Sequence, residues 1–100
     1  MAKYIAFHRL KKPGAEVLDA LNKRAPDIAH VMASQSSCKC LKTWSPLAHG
    51  REDYLFCLWE ASTHQDVQAA VESLGFSEYL TLDTMEVDEI DWAVLVESKL

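Results

Sequence analysis

An α+β domain built on one four-stranded antiparallel sheet is the fold class this sequence predicts, and three observations predict it. Lys3–Leu10, Cys38–Trp44 and Tyr54–Ala61 are short runs rich in aromatic, branched and other apolar residues, and a fourth such run lies near Leu80–Val87. Apolar residues at helical spacing fill the stretch between the first and second runs and the stretch between the third and fourth. One hundred residues with 49% hydrophobic content are enough for one core and too few for two, so residues 1–100 form a single domain.

The elements follow in order. KYIAFHRL (Lys3–Leu10) reads as a buried strand, which Lys11-Lys12-Pro13-Gly14 ends because proline fixes its own backbone and glycine frees the next residue. From Ala15 onward Val17, Leu18, Leu21, Ile28, Val31 and Met32 mark one face of a helix. Pro26 interrupts that run, and its missing N–H and its clash with the preceding turn predict a kink or a restart there. Gln35-Ser36-Ser37 is a polar connection to the strand CKCLKTW (Cys38–Trp44). Ser45–Asp53 holds both Pro and Gly and reads as a hairpin loop longer than a tight turn.

YLFCLWEA (Tyr54–Ala61) is the most apolar strand and belongs at the centre of the sheet. Ser62 or Thr63 caps the next helix, with Gln65 or Asp66 three residues on to complete a capping box. Val67, Ala70, Val71 and Leu74 form its buried stripe, and Gly75 is placed to end it in a left-handed conformation. After the last strand come the acidic residues Asp88-Glu89-Ile90-Asp91 and an apolar tail, residues 92–100, whose Trp92–Val96 segment should pack on its own subunit or on a partner.

The order βαββαβ is the ferredoxin-like pattern, with strands arranged 4-1-3-2. Lys3 and Arg9 on the first strand then lie beside Asp83 and Glu86 on the last, a charge pairing worth about 0.2–1 kcal/mol per pair. Two helices cover only one face of such a sheet. The other face, apolar on the first and third strands, needs a covering, and a second copy of the chain supplies one.

Tyr54–Ala61 followed by the capped helix Asp66-Val67-Gln68-Ala69-Ala70-Val71 resembles the third strand and second helix of small dimeric α/β-barrel proteins. These include the antibiotic-biosynthesis monooxygenase-like group and small ferredoxin-like domains of which some look like nickel binders. The resemblance implies a homodimer whose sheets pack face to face, and it carries no complete catalytic set onto numbered positions here.

Candidate chemistry begins with the thiols. On a regular strand Cys38 and Cys40 share a face with Lys42 and Trp44. A metal such as nickel or zinc would need a further ligand beside Cys38 and Cys40, for which Cys57 on the neighbouring strand and His49 in the hairpin loop are the candidates. The strand register decides whether Cys57 joins that face, because a one-residue slip swaps every side chain to the other side. The alternative is three thiols acting as small apolar side chains.

His8 shares its face with Tyr4, Ala6 and Leu10 and is the candidate catalytic base, or else a satisfied core histidine. Tyr4, Trp44, Phe56 and Trp59 are the candidate walls of a ligand pocket, or else a dimer core. His30 reads as the edge of a buried helical stripe and His64 as a solvated first-turn residue.

Charge is uneven along the chain. Residues 1–51 hold nine Lys/Arg against three Asp/Glu, and residues 52–100 hold one against twelve. The basic residues are scattered, which argues against a nucleic-acid surface and for two halves that face each other within or between subunits. There is no run of apolar residues long enough to span a membrane and no export signal, so three cysteines read as reduced thiols in a cytoplasmic setting. The expected function is a homodimer that binds a small organic ligand or a metal ion in a cavity between sheets. Its rivals are an oxygenase-like enzyme of the dimeric α/β-barrel kind and a purely structural dimer.

Overall fold

The computed structural model describes residues 1–34 and 37–99; Gln35 and Ser36 of the expected polar connection, and Leu100, lie outside the described residues. Its elements are β1 (Ala2–Arg9), α1 (Gly14–Ser34), β2 (Cys38–Trp44), β3 (Tyr54–Ala61), α2 (His64–Ser73), β4 (Asp83–Val87) and α3 (Trp92–Lys99). A short 3-10 turn, Leu47–His49, tucks the buried Leu47 under the β2–β3 loop. All neighbouring strands are antiparallel, in the order β2-β3-β1-β4, which is the ferredoxin-like arrangement.

The helix α1 is continuous from Gly14 to Ser34 with Pro26 inside it, so it does not restart there. Pro26 and Asn22, whose carbonyl loses its N–H partner, are both exposed, a setting in which water can satisfy that carbonyl and the loss is tolerated. The helix α2 has a full capping box: the Thr63 hydroxyl accepts from the Asp66 N–H at 3.3 Å and the Asp66 carboxylate accepts from the Thr63 N–H at 3.3 Å. Its far end turns at Gly75, φ +78°, and Arg24 from α1 donates to the carbonyls of Leu74 at 3.3 Å and Gly75 at 2.8 Å. A cation at a helix C-terminus is favourable, and this one ties the two helices together.

The helices cover one face of the sheet. Val17 of α1, Val67 of α2 and Leu55 of β3 are the largest fully buried side chains, each stabilising the fold by about 1.5–3 kcal/mol relative to exposure. On the other face Phe7 lies between Tyr54 and Phe56, with ring centroids 5.5 and 5.6 Å apart, and Phe56 stacks on Trp44 at 5.5 Å. Phe7 is 37% exposed, Trp44 42% and Met85 48%, so this row of rings lies open.

Two expectations about the last strand change. It begins at Asp83, with only an isolated Leu10–Leu80 bridge before it. The reason lies at Thr81, whose hydroxyl accepts the Arg9 N–H at 2.9 Å and whose carbonyl accepts from the His8 ring at 3.0 Å, so side chains interrupt the ladder. Glu86 and Asp83 stand opposite Tyr4 and Phe7, while Lys3 reaches past the strand to Glu89 at 3.0 Å. No residue of α3 is buried: the tail forms a helix but does not pack into its own core. The radius of gyration, 14.8 Å, exceeds the ~13 Å of a compact chain this long, as a projecting arm requires.

Candidate functional site

One extra residue in β2 shapes the site. Cys38, Lys39 and Cys40 pair with Ala61, Glu60 and Trp59; then Lys42, Thr43 and Trp44 pair with Leu58, Cys57 and Phe56, leaving Leu41 as a bulge. A bulge reverses the alternation beyond it. Cys38 and Cys40 therefore face the helices together with Thr43 rather than with Lys42 and Trp44, which turn to the open face. This corrects the expectation of a four-residue shared face; Cys57 lies on the side of Cys38 and Cys40 because Cys40 pairs with Trp59, two residues from Cys57 on β3.

Beneath the helices lies a cavity of about 70 Å³. Its polar wall consists of His8, Cys40, Thr43, Cys57 and Trp59, and its apolar wall includes Met32 of α1 and Leu55 of β3. His8 is 2% exposed, the one buried polar side chain among the described residues. Its Nδ1 lies 3.0 Å from the Thr81 carbonyl, which accepts, so Nδ1 carries the proton and Nε2 holds the lone pair. Burial drives its pKa below 6.5, against the pull of that hydrogen bond, and keeps the ring neutral near pH 7. Trp59 is 3% exposed and its indole N–H is buried without a hydrogen-bond partner among the described residues. Buried donors are rarely left unpaired, because an unmade bond costs about 1–3 kcal/mol.

The thiols divide into a pair and a single. The Thr43 hydroxyl lies 3.2 Å from Cys57 Sγ and 3.8 Å from Cys40 Sγ. Hydrogen bonding from the Cys57 thiol, helped by Thr43, outweighs burial and brings Cys40 down to about 7. Cys57, beside that thiolate and deeply buried, is pushed up and keeps its proton. Cys38 is buried opposite Ala61, and burial pushes it up as well.

The candidate site residues are thus only partly brought together. Among the described residues no group of three or more His, Cys, Asp or Glu side chains converges as metal ligands, so Cys38, Cys40, Cys57 and His49 do not form one centre. His49 stays in the 3-10 turn of the loop, exposed, and the bulge places only Cys40 and Cys57 about one hydroxyl. Tyr4 and Trp59 lie on the helix side, whereas Trp44 and Phe56 stack on the open face, so the four aromatics do not line one pocket. His30 and His64 are exposed. Sequence reasoning missed Thr43, which the bulge moves into the cavity, Thr81, which holds His8, and Met32, whose sulfur accepts from the Cys40 N–H at 3.5 Å. For Thr43 and Thr81 no sequence signal exists; for Met32 the signal was its place on the buried stripe of α1.

No family model matches the chain, and no curated protein matches it. Among solved structures, SnoaB, a cofactor-independent oxygenase from Streptomyces nogalater, superposes with a TM-score of 0.47 at 9% identity, covering 90% of this chain and 93% of that one. Neither fold nor chemistry is taken from a likeness of that degree; the ferredoxin-like assignment stands on strand order and register.

Proposed function

We propose that this protein is a homodimer that binds a small organic molecule in the cavity between sheet and helices of each subunit. The observation that carries the ligand reading is the unpartnered indole N–H of Trp59 in the wall of a cavity that also holds neutral His8. A ligand carbonyl would accept from the indole, and a hydroxyl would donate to the histidine Nε2. A cavity of 70 Å³ is about the share of two waters and less than half of the ~150 Å³ that holds benzene, so an aromatic ligand requires the wall to move. Met32 is the flexible part of that wall. The dimer reading rests on the open aromatic face, which a second copy covers, and on the exposed apolar arm α3.

The enzyme reading is favoured by one observation: a buried, neutral His8 whose Nε2 lone pair has no partner among the described residues is equipped to take a proton from an enol or phenol. Both readings are tested in a Trp44→Phe/Trp92→Phe variant, which leaves Trp59 as the sole tryptophan. Small hydroxylated carbonyl compounds should change its emission in a saturable way, and the change should be lost in His8→Leu. Emission that responds to no compound contradicts ligand binding; binding without turnover contradicts the enzyme.

A further inference from the structure

We propose that Cys40 and Cys57 form a peroxide-reactive dithiol, with Cys40 as the attacking sulfur and Cys57 as the resolving one. The pair sits on adjacent strands, faces one cavity and shares the Thr43 hydroxyl, 3.8 Å from one sulfur and 3.2 Å from the other. Access differs in the sense the chemistry needs: Cys40 is half-buried, whereas Cys57 is 7% exposed. Attack by the outer thiol and resolution by the inner one follow from that order. Cys38 is excluded from the pair because it is buried two pairing positions further along, opposite Ala61. The shift of Cys40 toward the thiolate agrees with the assignment.

The oxidant is a hydroperoxide. The Cys40 thiolate attacks one oxygen of hydrogen peroxide; the O–O bond breaks, the departing hydroxide takes a proton, and Cys40 becomes a sulfenic acid. Cys57 then gives up its proton and attacks the Cys40 sulfur; the S–O bond breaks, water leaves and an S–S bond forms. Two thiols and one peroxide become one disulfide and two waters. In a flat ladder a diagonal pair has Cα atoms ~7–8 Å apart, beyond the ~4.4–6.8 Å of a disulfide. The bulge at Leu41 supplies the slack, since it bends and twists β2 beside the pair and gives the strand a residue to straighten.

This inference does not depend on ligand binding, because its readout is the state of three thiols. The reduced full chain is treated with stoichiometric hydrogen peroxide, alkylated with N-ethylmaleimide, weighed intact and digested with trypsin. Cleavage after Lys39 and Lys42 isolates Cys40 from both Cys38 and Cys57, so each linkage has its own mass. The expected result is the loss of two of the three alkylation sites and a peptide joining Cys40 to Cys57 within one chain. Cys38→Ser should leave that link intact, and Cys57→Ser should stop at a Cys40 sulfenic acid that dimedone traps. A link containing Cys38, a link between chains, over-oxidation of Cys40 with Cys57 still free, or no reaction at a dose that oxidises free cysteine overturns the proposal. If Cys57→Ser does not fold, linkage mapping in the unaltered chain decides alone.

Discussion

Phe7 is the place to test the open face. It sits on the central strand β1, between the rings of Tyr54 and Phe56, and opposite Asp83 in the β1–β4 register. Phe7→Lys puts a cation where Asp83 can partner it, so the subunit keeps its fold while the face loses its apolar centre. With Phe7 37% exposed, and about 200 Å² for an aromatic residue's side chain, pairing of two copies removes about 75 Å² of each Phe7 from water. At ~25 cal/mol per Å² that is about 2 kcal/mol per copy. A two-fold dimer makes the change twice, so the variant loses about 4 kcal/mol, roughly a thousandfold in dissociation constant, before the cost of burying two ammonium groups is added. Sedimentation velocity across a dilution series measures both proteins, with circular dichroism to show that the variant is folded. A folded variant that associates within tenfold of the unaltered protein, or an unaltered protein that is monomeric throughout the series, refutes the reasoning.

Three further outcomes are expected. Thr63→Ala removes the hydroxyl that holds the Asp66 N–H and should lower unfolding free energy by about 1 kcal/mol in urea titration, with an unchanged slope. The pKa of His8 in the fold lies below 6.5, so between the two values the unfolded chain binds more protons; the stability from neutral His8 is present above pH 6.5 and is lost as pH falls through the folded-state value. Urea midpoints should therefore drop more steeply on acidification in the unaltered protein than in His8→Gln, and parallel curves contradict the assignment. Alkylation of Cys40 by iodoacetamide should rise with a midpoint of about 7, and Thr43→Val should move that midpoint upward; a midpoint at the ordinary thiol value of 9.0 contradicts the role given to Cys57 and Thr43.

The fold was legible because each signal in it is local. The aromatic and branched run in Lys3–Leu10, the stripe Val67, Ala70, Val71 and Leu74, the box at Thr63 and Asp66 and the glycine at 75 each act within a few residues, and all agree with one topology. The restart expected at Pro26 failed for the same reason. A local rule says that proline breaks a helix, but its exposed position, which makes the lost bond tolerable, follows from how α1 lies on the sheet. The tail was legible as apolar but not as a helix without a buried residue, since its composition does not say whether the rest of the subunit offers it a surface.

The site was less legible, and one residue accounts for most of the difference. The dyad period of a strand assigns Lys42 and Trp44 to the face of Cys40, and nothing in CKCLKTW marks Leu41 as the residue to be skipped. A regular strand in the register of Cys40 and Trp59 would set Lys42 opposite Cys57, under the helices. There its stem would lie against the cavity wall that Leu55, Met32 and Leu21 help to line, and its ammonium would have to reach back out to water. Skipping Leu41 sends the lysine to solvent and seats the small hydroxyl of Thr43 against the Cys57 sulfur instead. It also sends Trp44 to stack on Phe56, which lengthens the aromatic row on the open face. The bulge thus decides which side chains of β2 meet the cavity and which meet the open face. Deleting Leu41 should accordingly disturb the thiol pair and the open face together, whereas Thr43→Val should touch only the first.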